Sequence, residues 1–274
     1  MNFDQNTIPL DQRGRAGLEF LGSLQVFVSD ELLGQVRDEF SAQPEASGLD
    51  RSFQEPGDDA AWRQRVDASQ AVAQRSVAYR FNRFYERYIA EENWVRGLTA
   101  VERKRAAFEA KAQAEDTIRR NERLILNPQL PVPEYHQGVE WHLQPGGWEG
   151  YDLAGPMWSA AIMPAVYSRG GNAAVVVYDD VRTHRQEVLG QFRHAPRRAY
   201  DAGCGGAGTL GIMRKLYPDA ELVGGDLSER RLTDGHRISE RMGWNITFRQ
   251  EDARQVAEED SSFDAVISYA FHHE

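Results

Sequence analysis

Cysteine occurs once in this 274-residue chain, at Cys204. One thiol excludes a disulfide framework and a cysteine-built zinc site. No apolar run approaches the ~20 residues that cross a bilayer, and the opening Met1-Asn-Phe-Asp-Gln-Asn lacks the basic-then-apolar pattern of a secretory leader. Cytoplasm is therefore the expected compartment, and no membrane span is expected. An excess of positive charge is missing too. The formal net charge is −10 and the pI about 5.3, which opposes a general attraction to nucleic-acid phosphates or anionic membranes. What is present, 41% hydrophobic and 27% charged residues, is the composition of a globular protein with room for one large or two modest domains.

The chain is organised around Arg198-Ala-Tyr-Asp201-Ala202-Gly203-Cys204-Gly205-Gly206-Ala207-Gly208. Residues suited to a buried strand run into clustered glycines, and a helix-forming stretch follows over residues 209–216. Glycine lets the backbone turn sharply and lets a ligand lie against it without a Cβ in the way. The helix then offers that ligand free N–H groups and the positive end of its dipole. Alone, the Gly203/Gly205/Gly208 spacing is weak evidence. The downstream order strengthens it: an apolar strand ending in Asp226-Leu227, a helix over residues 229–242 capped by Ser228 and closed by Gly243, a third strand ending in Asp252-Ala253, and a fourth from Phe263 to Ser268. That alternation predicts an α/β, Rossmann-like, doubly wound parallel sheet, incomplete with strands one to four only, preceded by a mainly α-helical N-terminal region. An acid ending the second strand suits the two hydroxyls of a ribose.

Residues 199–274 resemble the N-terminal half of a class I S-adenosylmethionine-dependent methyltransferase, of the group that includes the ubiquinone and menaquinone enzymes. The resemblance rests on Asp201-Ala-Gly203-Cys204-Gly205, on Asp226 and Asp252 at their strand ends, and on Phe263-Asp264 with Ser268 and the His272-His273 pair. It implies S-adenosyl-L-methionine as cofactor. The implied cofactor-binding residues are Asp201, Ala202, Gly203, Cys204, Gly205, Gly208, Asp226, Leu227, Asp252, Ala253 and Ser268. Asp226 would serve the ribose, Asp252 the adenine amino group, and Asp201 the amino group of the methionine moiety through the loop. His272 and His273 are the catalytic candidates, one of them as a base for a hydroxyl acceptor. The acceptor is expected to be a small molecule, methylated at oxygen or carbon ahead of nitrogen, because Ser268-Tyr269-Ala-Phe stands where amide- and base-methylating enzymes carry Asn/Asp-Pro-Pro-aromatic. Two departures stand out. Ala207 occupies a position where the family usually has glycine. The family fold has seven strands and this sequence reaches the fourth, leaving an open apolar edge; the expectation is a truncated product or partial sequence.

Ahead of that segment the sequence divides into residues 1–134, mainly helical, and 135–178, an aromatic and Gly-rich connector or lid. Residues 179–274 then carry the methyltransferase-like half, opening on a helix from Asp179 or Asp180. Phe20 to Val28 reads as a short strand or docking segment. Ser29 reads as the N-cap of a helix over residues 30–41, and residues 43–59 as a linker. Residues 60–123 read as helical, broken at Gly97, with a capping box at Thr99 and Glu102. Their arginines are interleaved with acids, so the face reads as solvated and not as a nucleic-acid surface. The aromatic stripe on these helices is core, a lid or the face of a homodimer. His136, Glu140 and His142 lack a spacing that makes them converge, and no metal site is expected. Residues 172–178 read as a strand.

Two other classes remain open. An NAD(P)-dependent oxidoreductase shares the glycine pattern and Asp226, but Asp201 before the first glycine and a second acid after strand three count against it. A non-catalytic interaction module is the remaining alternative, separable by whether the chain binds S-adenosylmethionine.

Overall fold

The structure, a computed structural model, describes residues 8–49, 59–115, 118–137, 149–167, 181–269 and 271–272. A helical body comes first. Helix α1 (Gln12–Val26) opens on Asp11, whose carboxylate accepts from the Gly14 N–H at 2.7 Å. It passes without a break through a π-helical turn (Phe27–Leu32) into α2 (Leu33–Ser41). The strand expected at 20–28 and the N-cap expected at Ser29 are therefore both corrected. Ser29 is buried inside the continuous helix. A 3-10 turn (Pro44–Gly48) leads away from it.

Helices α3 (Asp59–Ala73), α4 (Val77–Glu102) and α5 (Arg105–Glu115) follow. Helix α4 runs straight through Gly97, and the break falls at 103–104 instead. Gly97 is there for packing: a Cβ would stand 3.0 Å from Ile162 Cδ1. Thr99 opens no helix; its hydroxyl donates back to the Val95 carbonyl at 2.8 Å within α4. A four-residue α6 (Ala154–Met157) and a second π-helical segment (Trp158–Tyr167) close this body. Its core joins Leu18, Leu21, Ile89, Trp94, Phe108 and Ile162, all buried. Trp94 stacks on Trp158 with centroids 5.3 Å apart.

Among the described residues the sheet has one strand more than the four expected. Strand β1 (Leu124–Ile125) comes from the connector after the helices and pairs parallel with β4 (Thr247–Gln250), Leu124 opposite Phe248. With β2 (Arg198–Ala202), β3 (Glu221–Asp226) and β5 (Ala265–Ser268), the order is β1-β4-β3-β2-β5, all parallel. Helix α7 (Val181–Leu189) precedes β2, while α8 (Gly208–Leu216) and α9 (Glu229–Met242) make the crossovers. Ser228 caps α9 by accepting from the Arg231 N–H at 3.1 Å, and Gly243 ends it with φ 63°. Leu210, Met213, Leu222, Leu232, Ile246 and Phe248 are completely buried between sheet and helices. The strand expected at 172–178 lies outside the described residues.

The two bodies meet along α9. Arg120 pairs with Glu229 at 3.3 Å, Glu149 accepts from the Ser228 hydroxyl, and Arg230 donates to the Asp152 carbonyl at 3.0 Å. A polar cavity of about 360 Å³ lies in this seam, bordered by Arg120, Glu149, Thr233 and Arg237.

Candidate functional site

In a parallel sheet the strand ends point one way, and the loops after β2, β3, β4 and β5 share one edge of the molecule. After β2 the backbone takes three left-handed turns within five residues: Gly203 (φ 69°), Gly205 (φ 51°) and Ala207 (φ 66°). Ala207 carries that conformation despite its Cβ, at a cost of roughly 1 kcal/mol. The Gly203 and Cys204 N–H groups both donate to the Gly225 carbonyl, at 2.9 and 3.0 Å, which ties the loop to β3. At Gly203 no side chain fits, because a Cβ would fall 2.3 Å from the Phe271 ring. Arg231 lies over the next turn, 3.0 Å from where a Gly206 Cβ would be.

Asp226 stands at the centre of this edge. One carboxylate oxygen accepts from the Gly205 N–H at 2.8 Å and the other from the Ser228 N–H at 2.9 Å. The acid thus joins the glycine loop to the start of α9. Leu227 beside it is half-buried, and its carbonyl accepts from Gln250 Nε2 at 3.1 Å.

Asp201 is 1% exposed, and its Oδ2 has no hydrogen-bond partner. Burial raises its carboxyl to about 8, Asp226 adds to the rise, and Arg185 opposes it. A buried acid with one oxygen unbonded under a glycine cradle suits a ligand that brings a positive group to it. Cys204 is buried, and burial pushes its thiol well up; it fills space as a small apolar residue. Ala202 and Ser268 face each other across β2 and β5, Ala202 buried and Ser268 exposed at the rim.

Asp252 is the second strand-end acid. It lies two residues past β4, with half-buried Ala253 beside it. Arg254 grips it from the side: Nη2 is 2.8 Å from Oδ2 and Nε 3.2 Å from both oxygens. Those bonds hold the carboxyl below its usual range. The Tyr135 hydroxyl donates to the same carboxylate at 3.2 Å. Tyr135 comes from the connector after β1, 117 residues earlier in the chain, and no local sequence signal identifies it as a partner of Asp252. Its membership in an aromatic, Gly-rich stretch was the available hint.

The structure brings together Asp201, the Gly203–Gly208 loop, Asp226, Asp252 and Ser268 on one edge. His272 is exposed in a turn beyond β5, its ring tilted against Phe271 at 5.5 Å. His273 lies outside the described residues, as do Glu140 and His142. Among the described residues no cluster of His, Cys, Asp and Glu is placed to hold a metal ion, and no helix is long and apolar enough to cross a membrane. A surface cavity beside α7, bordered by Gln186, Gln191 and Leu216, lies away from this edge.

Comparison with known proteins finds similarity over part of the chain. The family described as a methyltransferase domain matches residues 199–274. Demethylmenaquinone methyltransferase from Thermus thermophilus is 31% identical over 93 residues, which cover 34% of this chain and 42% of that protein. The chain therefore spans under half the length of this curated relative. Solved structures with similarity include the PH0226 protein from Pyrococcus horikoshii OT3 (24% identity, 31% of this chain and 39% of that one, TM-score 0.29). They also include the sugar N-methyltransferase KedS8 from a Streptoalloteichus species (24% identity, 32% and 33%, TM-score 0.26).

Proposed function

We propose that this chain, whose residues 199–274 belong to a class I S-adenosylmethionine-dependent methyltransferase domain, binds S-adenosylmethionine across the carboxyl ends of β2, β3 and β4. It then directs methyl transfer to a small-molecule acceptor, at oxygen or carbon. The carrying observation is the convergence of a buried Asp201 with one unbonded carboxylate oxygen, a loop of left-handed glycines and two strand-end acids on one edge. The cofactor supplies an electrophilic methyl group on a sulfonium. The protein positions it and excludes water, which is most of what such a displacement requires. Asp226 accepts from the ribose hydroxyls, the Gly203–Gly208 backbone admits the methionine moiety, and Asp201 meets its ammonium group. His272, exposed beyond β5, is our candidate for taking the proton of a hydroxyl acceptor.

Asp201 gives the test a signature beyond affinity. Its carboxyl is raised to about 8, so at pH 7 it is mostly protonated, and pairing with an ammonium ion expels that proton. Titration calorimetry of S-adenosylhomocysteine in buffers of different ionisation enthalpy should show release of up to about one proton at pH 7. The release should fade above pH 9, where the acid is already ionised, and vanish in Asp201→Asn. Absence of binding at any pH would sink the cofactor assignment and return the oxidoreductase and interaction-module alternatives.

A homodimer through the helical body is the second part of the proposal. On α4, Val77, Phe81 and Phe84 are 50%, 51% and 59% exposed on one face. The N-terminal half of α4 carries Arg80, Arg83 and Arg87 against Glu86; the C-terminal half carries Glu91, Glu92 and Glu102 against Arg96. A second copy laid antiparallel sets opposite charges together over the aromatic stripe. Light scattering should find a dimer that Phe84→Glu converts to a monomer with unchanged helical circular dichroism. A wild-type monomer at high micromolar concentration refutes it.

A further inference from the structure

The contacts around Asp252 reach past the assignment of a cofactor acid. The connector after β1 crosses the ends of β4 and β3: the Asn127 N–H donates to Gln250 Oε1 at 3.0 Å, and Gln250 in turn donates to the Leu227 carbonyl. This path delivers the half-buried Tyr135 ring to the Asp252 carboxylate. The field of Asp226 also reaches the Tyr135 hydroxyl, which burial and the two acids push upward. The ring therefore stands beside Asp252 and within the field of Asp226. The Arg254 guanidinium lies over the face of that ring, 4.3 Å from its centroid, while its N–H edge points into Asp252.

A guanidinium in that pose is a flat group stacked on an aromatic face and donating N–H bonds in its own plane to a carboxylate. A purine with an exocyclic amino group offers the same two features, a π face and an N–H edge. The two cannot share one ring face and one carboxylate. We propose that Tyr135 and Asp252 form the purine subsite of the cofactor groove and that Arg254 is a built-in competitor for it, so that the cofactor must displace the guanidinium to bind. Arg254 is suited to leaving: its side chain is 61% exposed against 10% for Asp252, and its swing into solvent uncovers the slot without moving the sheet. With the guanidinium mostly in water, an arginine–carboxylate pair only two residues apart adds little to stability, so its placement bears on ligand affinity more than on the fold.

This inference rests on the cofactor reading above, and the test separates the two. S-Adenosylhomocysteine is titrated into the wild type, Arg254→Ala, Arg254→Gln and Tyr135→Leu at low and high salt. Both arginine variants should bind about three- to tenfold more tightly than the wild type. Raising the salt should tighten wild-type binding, because it screens the internal ion pair, and should do so less in either variant. Tyr135→Leu should bind about tenfold more weakly, with an unchanged melting temperature. Equal or weaker binding by both arginine variants, beside a wild type that binds, overturns the competitor and leaves the cofactor assignment standing. A wild type that does not bind overturns both.

Discussion

Asp226→Ala weakens S-adenosylhomocysteine binding by a hundredfold or more. In the free protein this carboxylate already holds two backbone donors, Gly205 at 2.8 Å and Ser228 at 2.9 Å. Removing it deprives the ribose hydroxyls of an acceptor and frees both the glycine loop and the first turn of α9. Charge-assisted hydrogen bonds contribute about 1.5–3 kcal/mol each, so losing two of them exceeds the roughly 2.7 kcal/mol that corresponds to a hundredfold. Asp226→Asn should fall between the wild type and alanine, since its amide presents an acceptor to one backbone N–H and a donor to the other. Calorimetric affinity beside a thermal melt separates loss of the ligand contact from loss of the loop. An Asp226→Ala protein that binds within a few-fold of the wild type places the ribose elsewhere.

Gly225→Ala is expected to have the largest effect on folding. A methyl group at this position in β3 would stand 1.9 Å from the Tyr200 hydroxyl oxygen and 2.9 Å from Glu251 Oε1. Tyr200 and Glu251 form a buried hydrogen bond of 2.9 Å, and the remaining Glu251 oxygen accepts from the Ala257 N–H. Burial, with the neighbouring Glu251 carboxylate, drives the Tyr200 hydroxyl far above its ordinary range. Tyr200 therefore stays a hydroxyl donating to Glu251, with nowhere to retreat. Overpacking costs about 1–3 kcal/mol and a broken buried bond a further 1–3. Together these are a large share of the 5–15 kcal/mol that stabilises a typical domain. Urea denaturation should show a drop in midpoint of about 1 M or more. Gly34→Ala, where the same methyl meets nothing within 4 Å, is the control. An unchanged midpoint for Gly225→Ala would mean that Tyr200 and Glu251 repack without loss.

The segment after residue 198 was legible because its signals are local. Caps, glycines and strand-end acids are read from neighbours a few residues away: Ser228 and Gly243 bound α9 in the structure as they do in the sequence. The helical body was less legible for two reasons. The apolar run from Phe20 to Val28 suits a buried strand as well as a buried helix face, and only packing against α4 and the second π-helical segment decides. Gly97 and Thr99 carry the marks of a helix boundary, yet one serves close approach to Ile162 and the other bonds back to Val95. Strand β1 is two residues long and has no periodicity to detect. Tyr135 meets Asp252 and Arg254 only through that strand's pairing, so this wall of the groove depends on contacts across more than a hundred residues. Arg254 sits beside Asp252 in the sequence, but its stacking on Tyr135 is visible only in three dimensions.

Strand β1 also bears on the order of assembly. Pairing β2 with β3 joins residues 202 and 225 through one crossover helix, whereas pairing β1 with β4 closes the chain between residues 124 and 248. Closing the longer loop costs more entropy, and it is rewarded by only two residue pairs. The glycine loop and its acids therefore form early, within a nucleus of near neighbours, and the connector bearing Tyr135 docks late. Late docking on a two-residue strand also makes that edge the first to open in the native state. The end of the groove that would hold the purine is then the part of the sheet that breathes, while the loop at Asp201 stays shut.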